Sequence, residues 1–289
     1  MNLAVTTSGK CSVELSLRAK EAARRWSLPF LERGRKAPLG PMLHGRALLV
    51  FGAQGLALWD RRGVLRFTPG MARLRVKRID AGVRDDLLLR TAGFEPSQTV
   101  LDCTLGLGAD ALVAARAVGR RGTVVGLESS LAVFALVREG LEGYDPGPES
   151  CRVEVLHQCA ESFLSLQADQ SFDHVLFDPM FQRPQRSSPS FEMLRRFADY
   201  SPLTVSMLQQ AARVARVSVV VKGARHSGDL GKLGLSARPG SPYAAVAWAR
   251  LDGEALERAR WAATCPTYRP EPTSPPDRRQ EEGPKAFPP

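Results

Sequence analysis

The amino-acid sequence predicts an α/β protein, with a doubly wound parallel sheet that follows a small basic α+β module. From about residue 84, short apolar runs alternate with helical segments, which is typical of a parallel sheet with helices on both faces. Before that point, one helical segment and three short apolar runs precede a stretch rich in Arg and Lys. We therefore expect an N-terminal module over residues 1–83, a sheet domain over 84–264 and a disordered tail over 265–289.

The N-terminal module is predicted to hold one helix and a β-meander. Ser12 can cap a helix that continues to Trp26, because the apolar residues of this stretch fall on one face. Three short apolar runs separated by turn residues follow and predict three strands. These runs are Ala47–Phe51, Leu56–Trp59 and Val64–Phe67.

A basic stretch follows the meander. Arg73, Arg75 and Lys77 alternate with apolar residues between Met71 and Ile79, and this pattern fits either a strand or a short helix. In both cases the three basic side chains are candidates for contact with a substrate.

The sheet domain is predicted to contain six strands and four connecting helices. The strands are Thr99–Cys103, Thr123–Leu127, Val153–His157, His174–Phe177, Val217–Lys222 and Ala244–Arg250. The helices are Asp110–Val118, Leu131–Leu141, Ala160–Leu166 and Leu203–Ala215. Ligands of such sheets bind beyond the carboxyl ends of the strands, so residues at those ends are candidate site residues.

The positive charge of the chain is concentrated in its first third. The 289 residues carry a formal net charge of +10, and residues 1–95 alone contain 18 Lys and Arg against 8 Asp and Glu. Residues 96–265 and 266–289 are each balanced. A nucleic-acid backbone attracts such a surface, although an ordinary solvated basic face is the alternative. The charge therefore favours a nucleic acid as the partner.

Composition disfavours several other classes of protein. The first ten residues contain no apolar run of signal-peptide length, and no stretch approaches the roughly 18 apolar residues of a membrane span. The five cysteines form no Cys-x-x-Cys pair, and the four histidines are scattered. We therefore expect a cytoplasmic protein with reduced thiols, no membrane contact and no metal.

A glycine loop joins the first strand of the predicted sheet to its first helix. Gly106 and Gly108 permit a tight turn and a close approach of a ligand to the backbone. Glu128 ends the next strand, where a carboxylate can accept hydrogen bonds from ribose hydroxyls. The spacing of Gly106, Gly108 and Ala111 also fits a dinucleotide-binding fingerprint.

Two acids beside this loop favour a different cofactor. Asp102 closes the strand and Asp110 opens the helix, so a pyrophosphate at the turn would meet two carboxylates. S-adenosylmethionine carries an ammonium, a sulfonium and a ribose diol but no phosphate, and it suits the loop better than NAD does. A helix-capping glycine turn without any ligand is the structural alternative, but the loop and the spaced Glu128 occur together.

The fourth strand of the predicted sheet ends in Asp178-Pro179-Met180-Phe181. Methylation of an exocyclic amine requires the nitrogen to attack the methyl carbon in line with the departing sulfur. The Asp178 carboxylate and the Pro179 carbonyl can accept the two N–H bonds and hold the nitrogen in that geometry. Phe181 can stack on the target base. The alternative is a strand-terminating Asp-Pro turn with a core Phe.

Further candidates lie near the same edge of the sheet. Arg183 and Arg186 can contact a substrate backbone, or they are exposed loop residues. Lys222 ends an apolar strand and is a candidate for substrate contact, with a solvated strand end as the alternative. His157 and Cys159 follow the third strand, where an adenine ring would lie, and a core or loop role is equally open.

The segments VLDCTLGLGADALVA, VVGLESS and FDPMFQRP resemble class I S-adenosylmethionine-dependent methyltransferases, which have a Rossmann-like fold. More narrowly, they are similar to the bacterial small-subunit ribosomal RNA guanine-N2 methyltransferases and to an uncharacterised branch with a basic N-terminal extension. The resemblance covers about residues 4–250 and implies a substrate-amine site over Asp178–Phe181. The residues expected to contact the cofactor are Asp102, Thr104, Gly106, Gly108, Asp110, Glu128, Ser129, Cys159 and Asp178.

Two positions depart from the pattern of that family. Relatives often carry an acid for the adenine amine where Cys159 stands, and they tend to have Tyr where Phe181 stands. Stacking survives the change to Phe, whereas a phenol hydrogen bond does not.

The sequence therefore predicts an S-adenosylmethionine-dependent methyltransferase that acts on an exocyclic amine, guanine N2, in RNA and in particular ribosomal RNA. A methyltransferase of small molecules or proteins is one alternative, and the concentrated basic charge disfavours it. A non-catalytic RNA-binding relative is another, which the presence of Asp102, Glu128 and Asp178 disfavours.

Overall fold

The computed structural model describes residues 2–180, 189–225, 228–239 and 245–264. Three residues predicted to contact the substrate, Phe181, Arg183 and Arg186, lie outside the described residues. The predicted tail over 265–289 also lies outside them.

The N-terminal region forms a four-stranded sheet with one helix packed against it. Its elements are β1 Asn2–Thr7, α1 Val13–Arg25, β2 Arg46–Gly52, β3 Gly55–Asp60 and β4 Gly63–Arg66, with a short 3-10 helix over Gly40–Leu43. The strands lie in the order β1-β2-β3-β4, with β1 parallel to β2 and the other pairs antiparallel. The helix and the meander occupy the stretches that the sequence indicated, and β1 is an addition.

Local polar contacts explain where these elements begin and turn. The Ser12 hydroxyl accepts a hydrogen bond from the Leu15 amide at 3.1 Å and so caps α1. Asp60 ends β3, and its carboxylate accepts bonds from the amides of Arg62 and Gly63 at 2.7 and 3.1 Å. This Asp-centred turn fixes the register of the last hairpin.

The remaining elements build a seven-stranded sheet with helices on both faces. They are α2 Gly70–Asp80, α3 Leu87–Ala92, β5 Thr99–Asp102, α4 Ala109–Val118, β6 Thr123–Glu128, α5 Leu131–Glu142, β7 Val153–His157, α6 Ala160–Leu166, β8 Phe172–Phe177, α7 Pro189–Phe197, α8 Val205–Val214, β9 Ala215–Ala224, α9 Asp229–Lys232, β10 Arg238–Pro239, β11 Val246–Leu251 and α10 Gly253–Thr264. The basic stretch after the meander is therefore a helix, α2.

The strand order of this sheet is β10-β11-β9-β8-β5-β6-β7. Strands β5 to β9 are parallel, whereas β11 and β10 are antiparallel to their neighbours. The chain first moves outward from β5 to β6 and β7, then returns to β8 on the other side. The predicted doubly wound α/β fold is confirmed, and the point where the order reverses lies between β5 and β8.

The N-terminal sheet shares a hydrophobic core with helices of the large sheet. Its buried Leu49 and Leu58 belong to the same cluster as Val133 of α5 and Met193 of α7. A side chain at Gly140 of α5 would meet the Phe67 ring, so glycine is required for this close approach. Apolar packing therefore crosses the predicted boundary at residue 83 and fixes the N-terminal sheet against the large one.

The described ranges contain no helix that is long and apolar enough to cross a membrane.

Candidate active site

The carboxyl ends of the parallel strands bring four charged side chains to one edge of the large sheet. Asp102 ends β5, Glu128 ends β6 and Asp178 follows β8. Lys222 lies near the carboxyl end of β9. The sequence separates these residues widely, and the parallel register of the sheet places them together. They surround the glycine loop between β5 and α4.

Thr104 connects the glycine loop to the segment after β8. Its amide donates to Asp102 Oδ1 at 3.0 Å. Its hydroxyl oxygen accepts a hydrogen bond from the Asp178 amide at 2.5 Å. Gly106 and Gly108 follow with φ of +53° and +77°, a left-handed conformation that favours glycine.

Glu128 is bonded directly to the glycine loop. Its Oε2 accepts a hydrogen bond from the Gly106 amide at 3.0 Å, and its Oε1 accepts one from the Ser130 amide at 2.8 Å. Ser130 in turn caps α5. Each carboxylate oxygen keeps acceptor capacity, so Glu128 is held in place and can still accept bonds from a diol.

Asp102 and Glu128 are buried acids that form no ion pair within the described part of the chain. Burial raises the pKa of Asp102 to about 7, against the opposing hydrogen bond from Thr104. Burial also raises the pKa of Glu128 to about 7, against the amides of Ser130 and Gly106. Such acids are stabilised by an incoming cation or by hydroxyl donors, and S-adenosylmethionine provides both.

A second group of acids in the site is neutralised by cations of the protein itself. Lys222 Nζ lies 2.7 Å from Asp178 Oδ2 and 3.1 Å from Asp110 Oδ2. The second oxygen of Asp110 lies 2.5 Å from a guanidinium nitrogen of Arg75. Arg75 also makes two hydrogen bonds to Asp86, at 2.7 and 3.1 Å. Charges of alternating sign therefore run from Asp86 to Asp178.

The ionisation of this second group follows from its pairing. Burial opposes the charge on Asp110, but Lys222 and Arg75 together hold its pKa below the ordinary value. Burial likewise opposes the charge on Lys222, and the carboxylates of Asp178 and Asp110 nevertheless raise its pKa. For Asp178, burial outweighs Lys222 and the pKa is raised.

The three basic residues predicted as substrate contacts do not share one face of α2. Arg73 and Lys77 are exposed, and Arg75 lies on the inner side with Ala72, which is buried. The helical period separates residues that would lie together on a strand. Arg75 and Lys222 each form an internal ion pair, and the contacts predicted for them with a substrate remain predictions.

Ser129 contacts a residue that the sequence did not indicate. Asp199, in the loop after α7, accepts a hydrogen bond from the Ser129 hydroxyl at 2.9 Å. The backbone oxygen of Ser129 also lies 3.0 Å from His157 Nε2. Cys159 is exposed at the start of α6. The contacts predicted for Ser129 and Cys159 with the cofactor remain predictions.

A doubly wound sheet with a glycine loop after its central strand, an acid at the end of the next strand and buried acids around the loop defines a class I S-adenosylmethionine-dependent methyltransferase. The chain matches the family described as "Putative SAM-dependent methyltransferase" over residues 57–236 and belongs to that family. The protein is therefore a methyltransferase, and its cofactor is S-adenosylmethionine.

Relatives of known sequence agree with this assignment. The chain is 37% identical over 226 residues to the uncharacterised protein YpiP of Bacillus subtilis. The aligned residues cover 75% of this chain and 87% of YpiP. It is 31% identical over 161 residues to ribosomal RNA small subunit methyltransferase J of Coxiella burnetii, covering 53% and 62%.

Among solved structures, a SAM-dependent methyltransferase of Neisseria gonorrhoeae superposes with a TM-score of 0.51 at 19% identity, covering 77% of this chain and 85% of that one. At this identity the likeness supports the fold alone.

Proposed function

We propose that this methyltransferase modifies an exocyclic amine of a base in RNA, with guanine N2 of ribosomal RNA as the expected target. The observation that carries the proposal is the position of Asp178-Pro179 at the carboxyl end of β8, bonded through Thr104 to the loop that would hold the cofactor. The similarity to an enzyme named ribosomal RNA small subunit methyltransferase J supports RNA as the substrate class.

The residues of the chain divide the work of methyl transfer between them. Glu128 would accept hydrogen bonds from the ribose hydroxyls, and Asp102 would face the positive charge of the methionine part. The cofactor, when bound, supplies an electrophilic methyl group on a sulfonium. The Asp178 carboxylate and the Pro179 carbonyl would accept the two N–H bonds of the amine and orient its lone pair. The amine loses its extra proton after transfer, so no residue has to remove one beforehand.

The outer face of α2 supports RNA as the partner. Arg73 and Lys77 are exposed there, and Leu74 of the same helix is 55% exposed. Basic groups suit phosphates, and apolar side chains suit the faces of unpaired bases. The inner face of the same helix reaches Asp110 through Arg75, so RNA bound on α2 would lie next to the catalytic edge.

The substrate class is tested by incubating the protein with methyl-labelled S-adenosylmethionine and total RNA, ribosomal subunits, protein and small-molecule fractions. We expect label in RNA, and mapping of the labelled nucleotide identifies the base and the modified atom. Label that enters only protein or small molecules would contradict the proposal.

The role of Asp178 is tested by Asp178→Ala. Loss of a positioned acceptor should reduce the rate of methyl transfer by about 10²- to 10⁴-fold. The cofactor should still bind in calorimetry, with an affinity that changes far less than the rate, because the predicted contacts at Asp102 and Glu128 remain. Asp169→Ala is the control, since Asp169 is exposed and pairs with Arg213 away from the site. An undiminished rate in Asp178→Ala would sink the assignment.

A further inference from the structure

Five side chains of alternating charge link α2 to the catalytic edge. In order they are Asp86, Arg75, Asp110, Lys222 and Asp178, and each neighbouring pair lies within 2.5 to 3.1 Å. They come from the N-cap of α3, from α2, from α4, from β9 and from the end of β8. Because the five side chains come from separate elements, this row of ion pairs depends on tertiary packing.

Lys222 is held from three sides. Its ammonium group contacts carboxylate oxygens of Asp178 and Asp110, and it lies 5.2 Å from the centre of the Trp248 ring. Only about a fifth of its side chain is exposed, so water can replace few of these contacts. A buried ammonium in such a position stays charged and fixes the oxygen that it contacts.

Arg75 and Lys222 share the carboxylate of Asp110. Asp110 has two oxygens, and Arg75 takes one while Lys222 takes the other. Without Arg75, Asp110 would have Lys222 as its only cation and would attract it more strongly. Asp86 holds Arg75 by two bonds and also caps α3 through the Leu89 amide, so the distal end is anchored to backbone.

We propose that Lys222 positions the Asp178 carboxylate for the amine of the substrate, and that Arg75 positions Lys222 through Asp110. This inference rests on the proposed function for the role of Asp178. The two faces of α2 would then have different roles. The outer face would bind RNA, and Arg75 on the inner face would help to hold the Asp178 carboxylate in place through Asp110 and Lys222. Lys222 and Arg75 are positioning residues rather than substrate contacts.

The inference predicts an effect on the pH dependence of the rate. Within the described part of the chain, the charged groups that act on Asp178 include Lys222 on β9, Asp110 on α4, Arg75 on α2 and Asp102 on β5. Lys222 and Arg75 lower the pKa of Asp178, and Asp110 raises it. Removal of Lys222 therefore raises the pKa of Asp178 further and moves the acid limb of the rate profile to higher pH.

The experiment compares Lys222→Met, Lys222→Arg, Arg75→Met and Arg116→Met. In Lys222→Met we expect kcat to fall by roughly 10- to 100-fold, with KM for RNA within about three-fold of the native value. Lys222→Arg should recover much of the rate, and Arg75→Met should lose several-fold. Arg116→Met is the matched control, because Arg116 also joins α4 to α2, through Asp80, but lies outside the alternating chain.

A second readout needs no substrate and separates this inference from the proposed function. The ionisation of Asp178 is followed in each variant by the NMR chemical shift of its side-chain carboxyl carbon as the pH is changed. Its midpoint should rise in Lys222→Met, rise less in Arg75→Met and stay unchanged in Arg116→Met. If Lys222→Met does not fold, the double variant Lys222→Met with Asp110→Asn removes one charge of each sign and should show the same direction.

The outcomes are distinct. An unchanged midpoint in Lys222→Met and the double variant overturns the positioning role even where RNA methylation is found. A raised midpoint together with no transfer to RNA by the native protein overturns the proposed function. The ion pairs would still control the pKa of Asp178 in that case. A fall in kcat/KM that comes entirely from a higher KM, with kcat unchanged, also overturns the inference, since it would make Lys222 a substrate contact.

Discussion

Buried acids at the two ends of the proposed site differ in whether the described residues pair them with a cation. At the cofactor end, Asp102 and Glu128 are buried without a cation partner in the described residues, and the pKa of each is about 7. At the substrate end, Asp110 is equally buried, but Lys222 and Arg75 lower its pKa. In the proposed site the cationic cofactor would meet the first acids, whereas the protein itself supplies cations to Asp110.

This difference separates binding from positioning. Uncompensated buried acids destabilise the free protein, and a cofactor that relieves them gains affinity from that relief. Compensated acids hold a fixed geometry whether or not a ligand is present. The cofactor end should therefore respond to pH and ligand, and the substrate end should respond to the loss of its ion pairs.

The largest effect is expected from opposite stability changes in two isosteric variants. Asp110→Asn removes the carboxylate that Arg75 and Lys222 share and leaves each of them with one acid, Asp86 and Asp178 respectively. The free energy of unfolding should fall by up to about 3 kcal/mol near neutral pH. Because the folded pKa of Asp110 is depressed, its contribution is present above its unfolded pKa and is lost as the pH falls through the folded pKa. Urea denaturation of the cofactor-free protein measures the change.

Asp102→Asn should act in the other direction. The folded pKa of Asp102 is raised from 3.8 to about 7, so ionisation destabilises the folded state at pH 8 and has no effect near pH 3, where both states are protonated. The variant keeps an acceptor for the Thr104 amide and should gain up to about 2 kcal/mol at pH 8, shrinking toward acid pH. Equal destabilisation of both variants would remove the proposed contrast between the two ends.

The next effect concerns cofactor affinity. Asp102 must be ionised to attract the cationic methionine part, and Glu128 must be ionised to accept bonds from both ribose hydroxyls. Affinity for S-adenosylmethionine should therefore rise between pH 6 and pH 8. Glu128→Gln should weaken binding about ten-fold at pH 8 and less at pH 6, where native Glu128 is already largely protonated. Calorimetry at several pH values tests this, and S-adenosylmethionine affinity that is flat with pH in the native protein would refute it.

The smallest effect is expected from the outer face of α2. Replacing Arg73 and Lys77 with Gln should weaken binding of a short single-stranded RNA several-fold and reduce the slope of log affinity against log salt by about 1.4. Cofactor affinity should not change, because both side chains are exposed on the side of α2 opposite Arg75. The control replaces Lys232 and Arg258, which are exposed elsewhere, and a slope that falls equally in the control would argue against an RNA surface on α2.

Much of the large sheet was accessible from sequence because its signals are local. Apolar runs of strand length and the turn residues between them predicted β5 to β9, and helical periodicity predicted α4, α5, α6 and α8. The strand β1 was missed, since Asn2–Thr7 is short and half polar, and its pairing with Arg46–Phe51 depends on residues far along the chain. The helices α3, α7 and α10 were also missed, and α3, with 6 residues, is too short for a clear periodic signal.

The chemistry of the site divides in the same way. The sequence by itself determined the glycine loop and its acids, because Asp102, Gly106 and Glu128 act within one strand-loop-helix unit and the strand after it, where spacing fixes position. Only the tertiary structure decided which acids receive a cation. Lys222 reaches Asp110 across 112 residues, and Asp110 reaches Arg75 across 35. Ion pairing depends on distances that packing sets, whereas strand and turn signals depend on neighbours in the chain.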